Sequence, residues 1–412
     1  MKCLFFPLLA AAVCSVRSTG NEKPVRHDPI LLNADWLKKA KKAVMKKHPA
    51  YTAAYNALIR QADNAITQGP FSVMNKTKTP PSGDKHDYMS QGAYWWPDPK
   101  KKDGLPYIRR DGEQNPETMN SSTDKKEKNK MTGHVTTLSR AWFFSGEEKY
   151  AERAALLLRT WFLDPETRMN PHLEYGQSIP GRVKGRGTGI IDTASLTNII
   201  DSACLLCTSD AWTEMDHQAL QEWFRSFTKW LLTSSHGKEE RKAHNNHGAW
   251  YDVQVAAFAL FTGDKAVAEK VMRTVGKNRI AKHVKPDGSQ PLELARTRSF
   301  TYSVYNLMAL SRLARLGEHT GLDLWQYNVN GKSAIQAAID YVGPFADPKK
   351  KWPHKQITEP HRTRLLELLR HAYLVYKDPK YLQWIEKIPE EERDGHISIL
   401  LYPAELSTVP QN

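Results

Sequence analysis

The sequence predicts an all-α protein folded as an α/α toroid, an incomplete barrel of helical hairpins with long cleft-lining loops, and three observations lead there. Apolar residues recur at three- and four-residue spacing, as in AERAALLLRTWF (151–162) and WYDVQVAAFALF (250–261), which is the period of one helix face. Turn signals such as SGEEK (145–149), TGDK (262–265) and KDPK (377–380) separate one such segment from the next. Strand-like alternation is scarce. Helix, short turn, helix, repeated along a chain, is the pattern of stacked hairpins.

The expected helices cover 34–47, 52–67, 131–145, 148–163, 192–208, 213–233, 247–262, 264–276, 299–316, 333–343, 359–377 and 380–388. Two long stretches interrupt them, from about Gly69 to Lys130 and from about Asn170 to Ile191, both rich in Gly, Pro, aromatic and charged residues. Loops of that length in a folded domain serve as lids or binding walls. A shorter break, KHVKPDGSQPLELAR (282–296), turns at Asp287-Gly288 and leads into the next helix. Without a Gly/Ser linker or a shift in composition, residues 21–412 read as one domain.

Residues 1–20, MKCLFFPLLAAAVCSVRSTG, set Lys2 before an apolar run and small residues, the form of a secretory signal peptide. The chain is therefore expected to be exported to the periplasm, with secretion or a lipid anchor on Cys14 as the alternatives. No later segment reaches about 18 uninterrupted apolar residues, so no stable membrane insertion is expected. Only Cys204 and Cys207 remain beyond the leader, too few for a disulfide framework. Their CxxC lies in IIDSACLLCTSDAW (199–212) and reads as buried helix, so no metal is expected there. The formal charge is +14, or +12 once Lys2 and Arg17 leave with the leader, which favours a polyanionic partner. Export and the lack of any compact nucleic-acid motif exclude nucleic acid and leave an acidic polysaccharide. Lysine runs such as KKEKNK (125–130) read as solvated faces.

Four blocks carry residues suited to chemistry. The segment AYWWPDPKKKDGLPYIRRDGEQNPE (93–117) holds Tyr94, Trp95, Trp96, Tyr107, Arg109 and Arg110 in a setting too rich in Pro and Gly for a helix. Aromatic faces stack on sugar rings and arginines grip carboxylates, so this is a wall for an acidic glycan, or else a loop pinned by its own tryptophans. His134, on the helix that follows, either reaches the same wall or packs. In EYGQSIPGRVKGRGTGIIDTAS (174–195), glycines space Gln177, Arg182, Lys184 and Arg186 as on a cleft rim. In HNNHGAW (244–250), Asn245, Asn246 and His247 open a helix, where the dipole disfavours a second proton on the imidazole. Finally, ELARTRSFTYSVYNL (293–307) supplies Arg296, Arg298, Tyr302 and Tyr305, with Arg298 near enough along the helix to lower the Tyr302 phenol.

Taken together, YWWPDP with GLPYIRRDG, the IPG and GRGTGIID stretch, NNHGAW and ELARTRSFTY resemble the alginate lyase family of polysaccharide lyases, over about Asp35 to Leu322. The resemblance implies a toroidal catalytic domain using a neutral His and a Tyr on neighbouring helices, with an Asn and an Arg that neutralise the substrate carboxylate. Residue by residue, these fall on His247, Tyr302, Asn246 and Arg296. The Arg stands six residues before the Tyr, where better-known members have seven, so Arg298 is an alternative. Ser303 follows the Tyr where related lyases often have His, which marks a divergent branch. Tyr94, Trp95, Trp96, Arg110, His134, Gln177, Arg186 and Arg298 are the expected substrate-binding residues.

The implied reaction is β-elimination on a 4-linked polyuronate, alginate rich in mannuronate or a relative such as glucuronan, leaving a 4,5-unsaturated end without metal or organic cofactor. Two rivals are a glycoside hydrolase on the same toroid, with its carboxylates among Glu174, Asp192 and Glu293, and a non-catalytic binder of acidic glycans.

Overall fold

The computed structural model describes residues 27–329 and 331–404 of the protein; the expected leader lies outside the described residues. Hairpins build it from the start: α1 (Ala34–Met45), α2 (Pro49–Ala65), α3 (Lys125–Ser145), α4 (Glu148–Leu158), α5 (Thr197–Leu206), α6 (Glu214–Thr233) and α7 (Ser235–Arg241). There follow α8 (Asn246–Phe261), α9 (Lys265–Val275), the short α10 (Ala281–His283) and α11 (Pro291–Leu294), and the long α12 (Ser299–Glu318). The last are α13 (Ala334–Val342), α14 (Arg364–Tyr376), α15 (Lys380–Ile385), α16 (Glu390–Arg393) and α17 (Ser398–Leu401).

Local chemistry sets several ends. Asn33 caps α1 by accepting from the amides of Asp35 and Trp36. Thr213 and Asp216 form a reciprocal capping box at the start of α6. Gly146 ends α3 at φ +78°, a left-handed conformation glycine adopts without a Cβ penalty.

An inner ring runs α3, α5, α8, α12, α14, each against the next, while α4, α9, α13 and α15 pack outside on their hairpin partners and α6 packs outside on α8. The ring closes through α17, which touches α14, α1 and α2, with α2 returning to α3. This is an α/α toroid. Burial follows the layers: α5 and α8 are buried along almost their whole length, so α8 carries apolar residues all round. Phe162, Trp223, Phe224, Phe227 and Phe258 interlock between α6, α8 and the end of α4, with ring centroids 4.7–5.9 Å apart. Burying one such side chain is worth about 1.5–3 kcal/mol. The apolar stretch 187–206, long enough to cross a membrane, is buried in the same core. Cys204 and Cys207 are free and buried at the end of α5, as the helix reading of the CxxC expects.

Four expectations need correction. Helix α3 begins at Lys125, not near residue 131, and KKEKNK is not a solvated run: Lys128 is 3 % exposed and donates to Ser195 Oγ, while Lys125 Nζ lies 3.2 Å from the buried Asp192. Helix α14 starts at Arg364, later than expected: Pro360 keeps Glu359 out of helical backbone, and residues 362–363 form a turn before the helix. The stretch expected to open a helix at 192 instead winds as a tight 3-10 turn, Gly187–Leu196, before α5.

The first long loop is held in shape from within. Strands β2 (Trp95–Trp96) and β3 (Ile108–Arg109) pair antiparallel, Trp95 opposite Arg109. Strand β1 (Met89–Gln91) joins β4 (Tyr175–Ser178) of the second loop in parallel, and β5 (Asn328–Val329) with β6 (Lys332–Ser333) makes a separate hairpin. Beneath, Lys76 and Asp124 form a fully buried ion pair at 3.1 Å, and Lys76 Nζ also donates to the carbonyls of Val73 and Lys85.

Candidate active site

The β2–β3 ribbon forms one wall. Guanidinium groups flank its tryptophans, Arg182 and Arg186 at 5.4 and 5.9 Å from the Trp95 ring and Arg110 at 5.2 Å from Trp96, within cation–π range. Arg186 is fixed from behind: its Nε donates to the Gln177 carbonyl at 3.0 Å and its Nη2 to Gln177 Oε1 at 2.9 Å. Gln177 sits at φ +49°, held by its amide on Ser90 Oγ and its Nε2 on Asp192 Oδ1. Asp192 also accepts from Ser90 Oγ, Tyr88 and Lys125. Burial pushes the Asp192 carboxyl up, but Lys125 and these donors outweigh it and hold it below the usual range. A buried carboxylate thus orients Gln177, which orients Arg186 against Trp95.

Facing this loop, α8 and α12 lie side by side and bring the remaining groups together. Asn245 caps α8 by accepting from the His247 amide. Asn246, first in the helix, donates its backbone N–H to Glu293 Oε1 at 2.7 Å and its Nδ2 to Oε2 at 2.8 Å. A carboxylate receiving both bonds fixes the Asn246 amide with NH2 towards Glu293, leaving its second N–H for a ligand. Burial raises the Glu293 carboxyl; the two Asn246 donors and the charges of Arg296 and His247 oppose that. His247 sets Nδ1 2.5 Å from Glu240 Oε1. With the proton on Nδ1 donated to that carboxylate, the Nε2 lone pair is left free to accept one.

Tyr302 lies in the first turn of α12. Its hydroxyl is 2.5 Å from that of Tyr94, and the Arg296 guanidinium lies 3.9 Å from its ring centre. Burial and the Tyr94 phenol raise the Tyr302 pKa well above its ordinary value and Arg296 only partly offsets them, so the phenol keeps its proton. The expectation that Arg298 lowers this phenol is overturned: the neighbouring guanidinium is that of Arg296, and the net shift is upward because burial and Tyr94 outweigh it. Arg298 stands at the helix start, its backbone bridged to Gln356, and its Nε has no hydrogen-bond partner among the described residues. Arg296 itself is gripped by Asp111 through Nη2 at 2.7 Å and Nε at 3.2 Å, and Thr297 adds its hydroxyl and amide to the same carboxylate. Burial would raise the Asp111 carboxyl, but Arg296 and Thr297 hold it far below the usual carboxylate range.

The structure therefore brings together Tyr94, Arg296 and Tyr302, and beside them Asn246 and His247 through Glu293. It gathers Trp95, Trp96, Arg110, Gln177 and Arg186 in the wall. His134 does not join either group: its ring stacks on Phe71 at 5.4 Å, and burial with nearby Lys130 and Arg153 lowers its pKa, so it packs. Sequence reasoning missed Asp111, Glu240 and the support given by Glu293. Asp111 and Glu293 stand inside the recognised blocks; Glu240, in the charged run KEERK, gives no signal at all. The carboxylates a hydrolase would need are committed elsewhere, Asp192 to the wall, Glu293 to Asn246, and Glu174 to Trp230 at 2.7 Å and His236 at 3.7 Å.

A toroid whose cleft presents a phenol, an imidazole and a guanidinium, and whose carboxylates serve as internal supports, defines a polysaccharide lyase. The family model for alginate lyase matches residues 72–352. The chain belongs to the alginate lyase family. It is similar to a solved alginate lyase from Bacteroides ovatus, with 40% identity and a TM-score of 0.86 over 92% of this chain and 99% of that one. The fold is shared with alginate lyase A1-III from Sphingomonas species A1 at 16% identity and TM-score 0.54, over 92% of this chain and 97% of that one. A variant of A1-III complexed with a tetrasaccharide aligns at 15% identity and TM-score 0.57, over 94% and 98% of the two chains. A search of curated proteins finds no match.

Proposed function

We propose that this lyase depolymerises alginate, with mannuronate-rich blocks as substrate, and that Tyr302 supplies the proton to the departing O4. The carrying observation is the proton-loaded Tyr302 phenol set between Tyr94 and Arg296. In β-elimination the C5 proton leaves to a base, electron density passes into the carboxylate, and the C4–O4 bond breaks as O4 takes a proton, leaving a C4=C5 double bond. Asn246 and Arg296 stabilise the enolate-like charge by hydrogen bonding and attraction. Arg296 already holds Asp111, so a substrate carboxylate shares that guanidinium with Asp111 or replaces it.

At mannuronate the C5 proton and O4 lie on one face: the resting Tyr302 phenol first gives up its proton to solvent, and the phenolate then takes the C5 proton and passes it to O4. Arg296 favours the transient phenolate that this requires. The Glu240-anchored His247 supports a second reading: at guluronate, where the two lie on opposite faces, Nε2 takes the C5 proton while Tyr302 protonates O4. Wall residues Tyr94, Trp95, Trp96, Arg110, Gln177 and Arg186 bind or frame the polymer. The leader-like residues 1–20 support export to the periplasm, and the continuous ring supports residues 21–412 as one catalytic unit.

The test is ultraviolet absorbance of the unsaturated uronate during incubation with polymannuronate, polyguluronate and glucuronan separately. A rise with polymannuronate is expected. New reducing ends without absorbance would establish the hydrolase, and binding without cleavage the non-catalytic glycan binder.

A further inference from the structure

Outside the cleft, a cavity of about 660 Å³ opens on the outer wall of the toroid. Its floor is Tyr251 and Asp252 of α8, and its apolar sides come from Leu232 of α6 and Val267 and Val271 of α9. Around it stand Arg241, Lys242, His244, Lys270 and Lys282. Among the described residues the only carboxylate in the lining is Asp252, which is neutralised by Arg279, whose Nε donates to it at 2.7 Å. Arg279 spends its other nitrogens on the carbonyls of Ala243 and Arg241, both at 2.8 Å. A π turn, Gly276–Ile280, brings it there. The four remaining cations, Arg241, Lys242, Lys270 and Lys282, have no ion-pair partner among the described residues.

Like charges gathered around one concavity repel one another, and a low-dielectric wall strengthens their field, so such a cavity lowers its energy by taking up an anion. Its size is that of a pocket for a ligand of a few rings. Its apolar sides suit the C–H face of a pyranose, and its rim suits carboxylates spaced along a chain. Arg279 is also the back wall of the catalytic helix: a Cβ on Gly248, the residue after His247, would meet its Nη1 at 2.5 Å. The cavity therefore lies directly behind the start of α8, outside the cleft but next to it.

We infer that this cavity is a secondary binding site for the uronate chain, engaging sugars several residues away from the bond being cut. This rests on the proposed alginate substrate. Short oligosaccharides that fill only the cleft do not reach it, whereas a polymer gains affinity and local concentration from it.

The test compares the wild type with the double variant Lys270→Glu, Lys282→Glu, and with Lys42→Glu, Lys46→Glu at the exposed C-terminal end of α1 as a control of equal charge. Each is also made in a Tyr302→Phe background, so that binding of labelled polymannuronate is measured without turnover. The pocket variant is expected to bind polymer on the order of tenfold more weakly at low salt, the difference shrinking as salt rises. Its KM for polymer should rise in parallel, with kcat and KM for a trisaccharide unchanged. Equal polymer affinity in the wild type and the pocket variant, or an equal loss in the α1 control, would overturn the inference. The same double change to Gln keeps the comparison valid should charge reversal disturb folding. A wild type that releases no unsaturated ends refutes the proposed lyase substrate, while the binding comparison still decides the cavity.

Discussion

Tyr94 and Tyr302, 208 residues apart in sequence, meet hydroxyl to hydroxyl at 2.5 Å. One belongs to the long loop, the other to the first turn of α12, so the contact ties the loop to the inner ring. Tyr302→Phe removes the proton donor but keeps the ring under Arg296. The expected result is a loss of 10²–10⁴ in kcat with polymer binding retained. Because the phenol is raised well above its ordinary pKa, its deprotonation should not shape the alkaline limb of the wild-type profile below about pH 10. Steady-state absorbance across pH measures both.

Arg296 and Arg298 separate experimentally. Arg296→Lys loses the planar fork that spans Asp111 and the Tyr302 face, and kcat should fall about 100-fold. Arg298→Lys, at a position whose backbone but not whose guanidinium is fixed, should cost less than tenfold, read from the same assay.

Glu240→Gln replaces an obligate acceptor beside His247 Nδ1 with an amide that can donate or accept, so both tautomers become available. Cleavage of polyguluronate should fall about 10- to 100-fold, more than cleavage of polymannuronate, if His247 is the base for the first. Equal losses on both polymers would count against that division of labour.

Asp111→Asn weakens the grip of the loop on α12 without touching the tyrosines. Trypsin should then cut faster at Lys100–Lys102 and Arg109–Arg110, and KM should rise, since Arg296 loses its orienting partner. Gel analysis of timed digests gives the comparison.

Acid should unfold the protein by way of its buried histidines. Burial lowers His283 to about 4 and His371 to about 3, against about 6.5 in an unfolded chain. Below pH 6.5 the unfolded chain takes protons that the folded state refuses, so this stability is intact above 6.5 and is lost as pH falls towards 4. The loss reaches about 3 kcal/mol for each residue. Denaturant titrations at pH 7 and pH 4.5 should show it, with His371→Gln flattening the slope.

How much was legible depends on the range of the interaction. Helix positions come from local periodicity, and α6, α8, α9 and α12 lie within a residue or two of expectation. The blocks around Tyr94, Asn246 and Tyr302 also stand out as composition within a few residues. What stays hidden is pairing at a distance. Lys128 reads as solvent-facing until Ser195, 67 positions on, is folded against it. Glu240 looks like one more surface acid until α7 turns it onto His247. Arg298 seemed the nearer cation to Tyr302 along the helix, but the turn before α12 swings Arg296 over the ring instead.

The seam of the ring has a consequence for how the protein is made. Because α17 fills the gap between α14 and the first hairpin, α1 and α2 have no complete seat until nearly the last described residues have been synthesised. Until α17 is in place, the first two helices stand as an open edge of the ring, and the chain closes only when its last described helix packs between them and α14.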